Sequence, residues 1–113
     1  MNYLSVEEIR NADDIKTTDV EIPEWGGKVA VKGMSGRLRS NLEQKINANA
    51  PSGDIKMLIV LECTVKEDGS RMFTNNDRKW LVEKAAGPIE SIFEAVCKLS
   101  GVAEGAVEEA EGN

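Results

Sequence analysis

The chain predicts an α+β fold: a small, mostly helical single domain with a β-hairpin at about residues 19–34, a second short hairpin at about 64–73, and a C-terminal amphipathic helix. Three observations lead there. Residues 19–23 and 28–34 are β-prone runs on either side of Glu24-Trp25-Gly26-Gly27, where paired glycines supply positive φ for a turn. Apolar side chains then recur at helical spacing, first in Leu38, Leu42 and Ile46, later in Ile89, Ile92, Phe93, Val96 and Leu99. And 113 residues leave no room for two independent cores.

The elements follow in order. Ser5-Val6-Glu7-Glu8 is a capping box, with Leu4 and Ile9 at the staple positions, and predicts a helix from Val6 to about Ala12. Residues 15–18 read as a connector. Val20 and Ile22 alternate with Glu21, and Pro23 closes the strand where a missing amide does little harm. Across the turn, Val29 and Val31 share one side, opposite Lys28 and Lys32.

Ser35 can cap the next helix, although Ser40-Asn41-Leu42-Glu43 offers a second capping box. Pro51 disfavours helix at Ala50. Residues 55–65 are harder to assign. Every odd position is apolar, which is the period of a strand, yet Leu58 and Val60 are apolar too and the length suits a buried helix. Helix to about Leu61 with extended chain beyond is the assignment, and both states stay open for this run.

Glu67-Asp68-Gly69-Ser70 predicts the turn of the second hairpin. Thr74-Asn75-Asn76-Asp77 caps a short helix whose apolar contacts are Trp80 and Leu81. Gly87-Pro88 breaks the chain and restarts it, with Pro88 suited to a first helical turn and Gly101 to a stop. The domain is placed at 1–101, and residues 102–113 read as an acidic, frayed tail.

Charge is unevenly spread over a net −6. Residues 1–27 sum to −5, residues 28–101 to +3 and residues 102–113 to −4. A globally acidic chain is repelled by phosphate backbones, so nucleic acid is disfavoured as a partner. No apolar run approaches membrane-spanning length, and the first residues lack a signal pattern. Cys63 and Cys97 sit in apolar runs and read as small buried side chains of a reduced protein, with one disulfide as the other option.

Catalytic equipment is not legible. The sequence holds no histidine, its carboxylate pairs sit in caps, turns and the tail, and no converging set of metal ligands exists. Gly27-Lys28 resembles the end of a phosphate loop, but Val29 stands where the hydroxyl residue belongs. The expectation is a non-enzymatic interaction module with no cofactor and no metal. Trp25 at the hairpin tip is either a lid over its own hairpin or a partner-facing anchor. Leu38, Leu42 and Ile46, beside the basic Arg37 and Arg39, are the candidate groove for an amphipathic helix.

The succession YLSVEEIRNADDIKTTDVEIPEWGGKVAVKGMSGRLR, then VKEDGSRMFTNND, then IESIFEAVCKLSG and VEEAEGN, resembles tail assembly chaperones of long-tailed, non-contractile phages. The resemblance spans essentially the whole chain and departs at residues 47–54 and at Gly87-Pro88. It implies a protein that transiently coats the tape-measure protein and helps recruit tail tube subunits through a frameshifted longer form. Self-association is a separate expectation, since an interface between copies would bury the Ile89–Leu99 stripe as well as a core would. It also implies work in the host cytoplasm and absence from the mature virion. Two other classes compete: a head–tail joining or minor tail protein of the virion, and an acidic adaptor or inhibitor of a host protein.

Overall fold

The computed structural model describes residues 2–102, which hold five α-helices and one three-stranded antiparallel sheet. The first helix, α1 (Val6–Asn11), starts at the expected capping box. Ser5 Oγ accepts the Glu8 amide proton at 3.2 Å, and the Ser5 amide donates to Glu8 Oε1 at 3.0 Å. None of its side chains is buried, so Leu4 and Ile9 staple no core together.

Strands β1 (Thr17–Ile22) and β2 (Gly27–Lys32) form the hairpin, in a register from Thr17 opposite Lys32 to Ile22 opposite Gly27. The hairpin is the expected one, shifted at its ends. Thr17 and Thr18 are paired strand rather than connector, and β2 stops at Lys32 instead of Met34. Pro23–Trp25 makes a 3₁₀ turn, closed by the Gly26 amide donating to the Pro23 carbonyl at 3.0 Å. Only Gly26, at φ 75°, uses the left-handed region there; Gly27 is ordinary strand.

Helix α2 (Gly36–Asn47) is capped by Ser35, whose Oγ accepts from the Leu38 amide at 3.2 Å. The alternative box at Ser40 lies inside the helix and is unused. Helix α3 (Ser52–Cys63) resolves the ambiguous run: it is helix two residues beyond Leu61, then strand β3 (Thr64–Val65). Ile55, Met57, Ile59, Val60, Leu61 and Cys63 are all buried, because α3 is enclosed on most of its circumference. An alternating pattern therefore arose without a strand, as it can in any helix that is apolar nearly all round.

The second hairpin is reduced to a bridge between Val65 and Arg71. Its turn is closed by the Lys66 amide on the Ser70 carbonyl at 2.8 Å and the Met72 amide on the Thr64 carbonyl at 2.9 Å. The larger finding is that β3 joins the first hairpin, with Ala30 opposite Val65 and Val31 opposite Thr64. A two-residue strand has too little pattern to show its partner in the sequence.

After a 3₁₀ turn at Asn75–Asp77 comes α4 (Arg78–Leu81), and then α5 (Ala86–Ser100). The helix break falls before Ala86, one residue ahead of Gly87-Pro88, and Pro88 lies in the first turn as expected. Helix α5 packs on α3 and across β1 and β2. Ile92, Phe93, Val96 and Cys97 are buried, with Ile89 and Leu99 partly so, which makes the stripe core rather than exposed groove. Both cysteines are buried, and neither is in a disulfide. The tail expectation concerns residues that, from 103 on, lie outside the described ones.

Candidate functional site

Three of the chain's five aromatic side chains meet at one end of the sheet. Trp25 comes from the hairpin turn, Phe73 from the segment after the Val65–Arg71 bridge, and Trp80 from α4. With Val29, Met72, Leu81 and Lys84 they line a cleft of about 340 Å³ whose walls are almost wholly apolar.

Each wall is held by a local device. Asp68 Oδ1 accepts from the Ser70 amide at 2.9 Å and from its hydroxyl at 2.6 Å, which fixes the turn that delivers Met72 and Phe73. The Thr74 amide donates to Asp77 Oδ2 at 2.7 Å, starting the 3₁₀ turn. The other Asp77 oxygen accepts the Trp80 indole N–H at 2.9 Å. The Trp80 ring then meets Phe73 edge-on, at 5.9 Å between centroids and 69° between planes. Edge-to-face geometry of this kind is the favoured arrangement of aromatic pairs.

Phe73 is buried, whereas Trp80 keeps 47% and Met72 36% of their surfaces exposed. The Thr74 amide first, and the indole second, hold the Asp77 carboxyl below its usual range, so it stays ionised and keeps its grip on the ring. The result is an oriented aromatic wall open to solvent beside a lysine. Tryptophan and methionine in such settings suit adaptable apolar docking.

A second concavity of about 470 Å³ lies between β2 and α2, lined by Lys32, Gly33, Ser35, Arg37, Leu38 and Asn41 among others, with Cys63 at its floor. Burial pushes the Cys63 thiol up to about 12, so it is neither nucleophile nor ligand at neutral pH. No group of three His, Cys, Asp or Glu side chains among the described residues could hold a metal ion. No described helix is long and apolar enough to cross a membrane.

The six residues singled out in the sequence do not form one surface. Trp25 is half-buried and lines the aromatic cleft. Leu38 and Leu42, 7% and 1% exposed, belong to the core, and Ile46 packs against it. As an open groove the Leu38–Leu42–Ile46 stripe is corrected: a narrow stripe on a short helix is what a small core consumes first. Arg37 is exposed at the rim of the second concavity. Arg39 bonds the Ser100 carbonyl at 3.4 Å and pairs with Glu43 at 3.2 Å. Met72, Phe73 and Trp80 were missed as site residues, although so few aromatics made their crowding into residues 73–80 a usable signal.

Neither a family model nor a curated protein sequence matches this chain. Among solved structures, the fold matches that of the bacteriophage HK97 tail assembly chaperone. The TM-score is 0.63 at 15% identity, over 87% of this chain and 95% of that one. The two chains share their architecture nearly end to end. At that identity the likeness is one of fold.

Proposed function

We propose that this chain is a tail assembly chaperone of a long-tailed phage, a non-enzymatic protein that holds the tape-measure protein and then releases it. The observation that carries the reading is the end-to-end fold likeness to the HK97 tail assembly chaperone.

The aromatic cleft is the surface offered to the partner. An amphipathic helix of the tape-measure protein would seat its apolar face on Trp25, Met72 and Trp80, with Lys84 meeting an acidic residue at the rim. A cleft of this size gives weak single contacts, which suits a protein that many copies must line up and tube subunits must later displace. Recruitment of tube subunits, self-association and work in the host cytoplasm before the virion is finished belong to the same proposal.

The test is co-expression with the tape-measure protein encoded by the same genome. The wild-type chain should co-purify with it and raise its soluble yield, and Trp80→Ala should lose both effects while remaining folded by circular dichroism. Mass spectrometry of finished particles should find the chain missing. Its stoichiometric presence there would replace the proposal with a structural tail protein.

A further inference from the structure

We propose that the aromatic cleft of one copy receives α1 of a second copy, with Leu4, Val6 and Ile9 as the side chains buried there. The inference rests on the reading of that cleft as a surface for an amphipathic helix, and it names the helix that fills it before another partner arrives. The arm is apolar and uncovered. Tyr3, Leu4, Val6 and Ile9 are each more exposed than Trp80, and no side chain of α1 is buried. Val6 and Ile9 lie one turn apart, with Leu4 just ahead of the cap and the Glu7–Arg10 ion pair, at 2.8 Å, beside them. A helix of six residues is too short to hold itself in water, and its capping box secures one end only. Its apolar face needs a cover.

The chain's own cleft is not that cover, since none of residues 2–16 lines it. The arm leaves the domain at Lys16, whose carbonyl accepts the Gly33 amide proton at 2.9 Å. The cleft begins past the opposite end of β1, at Trp25 in the hairpin turn. The six residues of β1 set these places roughly 20 Å apart. An arm at one end of a strand and a cleft at the other are placed for two copies to meet, the arm of one against the cleft of the next.

Charge fits the same arrangement. Lys84 is the one charged residue on the cleft lining, and Lys79 is exposed beside Trp80. Asp13 and Asp14 follow directly on the C-cap of α1 and are exposed as well. None of these four makes an ion pair with any described residue. Seating Leu4, Val6 and Ile9 on Trp25, Met72 and Trp80 brings the two carboxylates toward the two ammonium groups, and opposite charge at a rim fixes the register of an apolar contact. So short an arm binds weakly, which leaves the cleft open to a longer amphipathic helix that displaces it.

Sedimentation equilibrium of the full chain, with no tape-measure protein present, tests this apart from the chaperone reading. The mass of the parent should rise above that of one chain between micromolar and millimolar concentration. Ile9→Asp and Trp80→Ala, both at exposed positions, should each weaken the association about ten-fold or more while leaving the circular dichroism of a folded chain. Ile9→Asp keeps an intact cleft and Trp80→Ala an intact arm, so an equimolar mixture should regain a pairing that neither variant shows alone. A parent that stays monomeric, association that survives either substitution, or a mixture no heavier than its components would each overturn the proposal. Failure to capture the tape-measure protein, with these masses as expected, would overturn the chaperone reading alone.

Discussion

The Asp77 carboxylate accepts the Trp80 indole N–H at 2.9 Å, three residues along the same turn, and so sets the angle at which an exposed tryptophan faces the cleft. The same carboxylate accepts the Thr74 amide and so starts the 3₁₀ turn that leads into the helix carrying the ring. Asp77→Asn keeps the shape and removes the charge-assisted acceptor. It should leave the fold intact, shift tryptophan emission to longer wavelength as the ring loosens, and weaken partner capture less than Trp80→Ala does. Unchanged emission would show that Phe73 alone orients the ring.

Leu42 and Arg37 should separate core from surface. Leu42→Ala removes a buried side chain and should cost about 2–5 kcal/mol in urea unfolding. Arg37→Ala alters an exposed side chain that makes no ion pair among the described residues, and should stay within about 0.5 kcal/mol of the parent. Near-equal midpoints for the two would mean that α2 does not sit on the core.

Gly26 and Gly27 are neighbours with different demands. Gly26 stands at φ 75°, where a Cβ costs about 1 kcal/mol or more, so Gly26→Ala should lower the thermal midpoint. Gly27 is ordinary strand with open space around its Cα, and Gly27→Ala should be neutral or slightly stabilising. Differential scanning calorimetry of the pair decides it.

Cys63 makes stability depend on alkaline pH. Its thiol ionises at about 12 in the folded chain against 9.0 for the free group, so the native state keeps a proton that the unfolded state gives up. The contribution is complete below pH 9 and is lost as pH rises through that window, by about 1.4 kcal/mol per pH unit. Cys63→Ala should flatten the alkaline slope of stability. In the parent chain, thiol reagents at neutral pH should react only after denaturant is added.

Acid acts in the opposite direction. Glu8 and Asp77 are held below their ordinary values first by the Ser5 and Thr74 amides, and Asp68 first by the Ser70 hydroxyl and then by the Ser70 amide. Their contributions stand above the free carboxyl range and disappear as pH falls through the lower folded values. Melting followed from pH 6 downward should show the 66–80 region loosening along with α1, read as loss of the Trp80 signal.

Much of this was legible in one dimension. The Ser5 and Thr74 capping boxes, the Trp25 hairpin tip, the Ser35 cap and the α5 stripe are local patterns, and local hydrogen bonds and periodicity are what a sequence displays. The run at 55–65 was not legible, because full enclosure erases the polar face that would tell helix from strand. A related ambiguity holds on α2: Leu38 and Leu42 look like an interface stripe and like a core stripe until the helices around them are known.

By itself, then, the sequence determined the capped helices and the first hairpin, the absence of a histidine and the acidic balance, since each is written in residues near one another or in composition. The tertiary structure alone decided that Thr64–Val65 would be the third strand, that Trp25, Phe73 and Trp80 would share a cleft, and that Ser100 would lie against Gly33 and Met34. Those relations join residues tens of positions apart. They exist only once burial of α3 and α5 has fixed which surfaces remain to be shared.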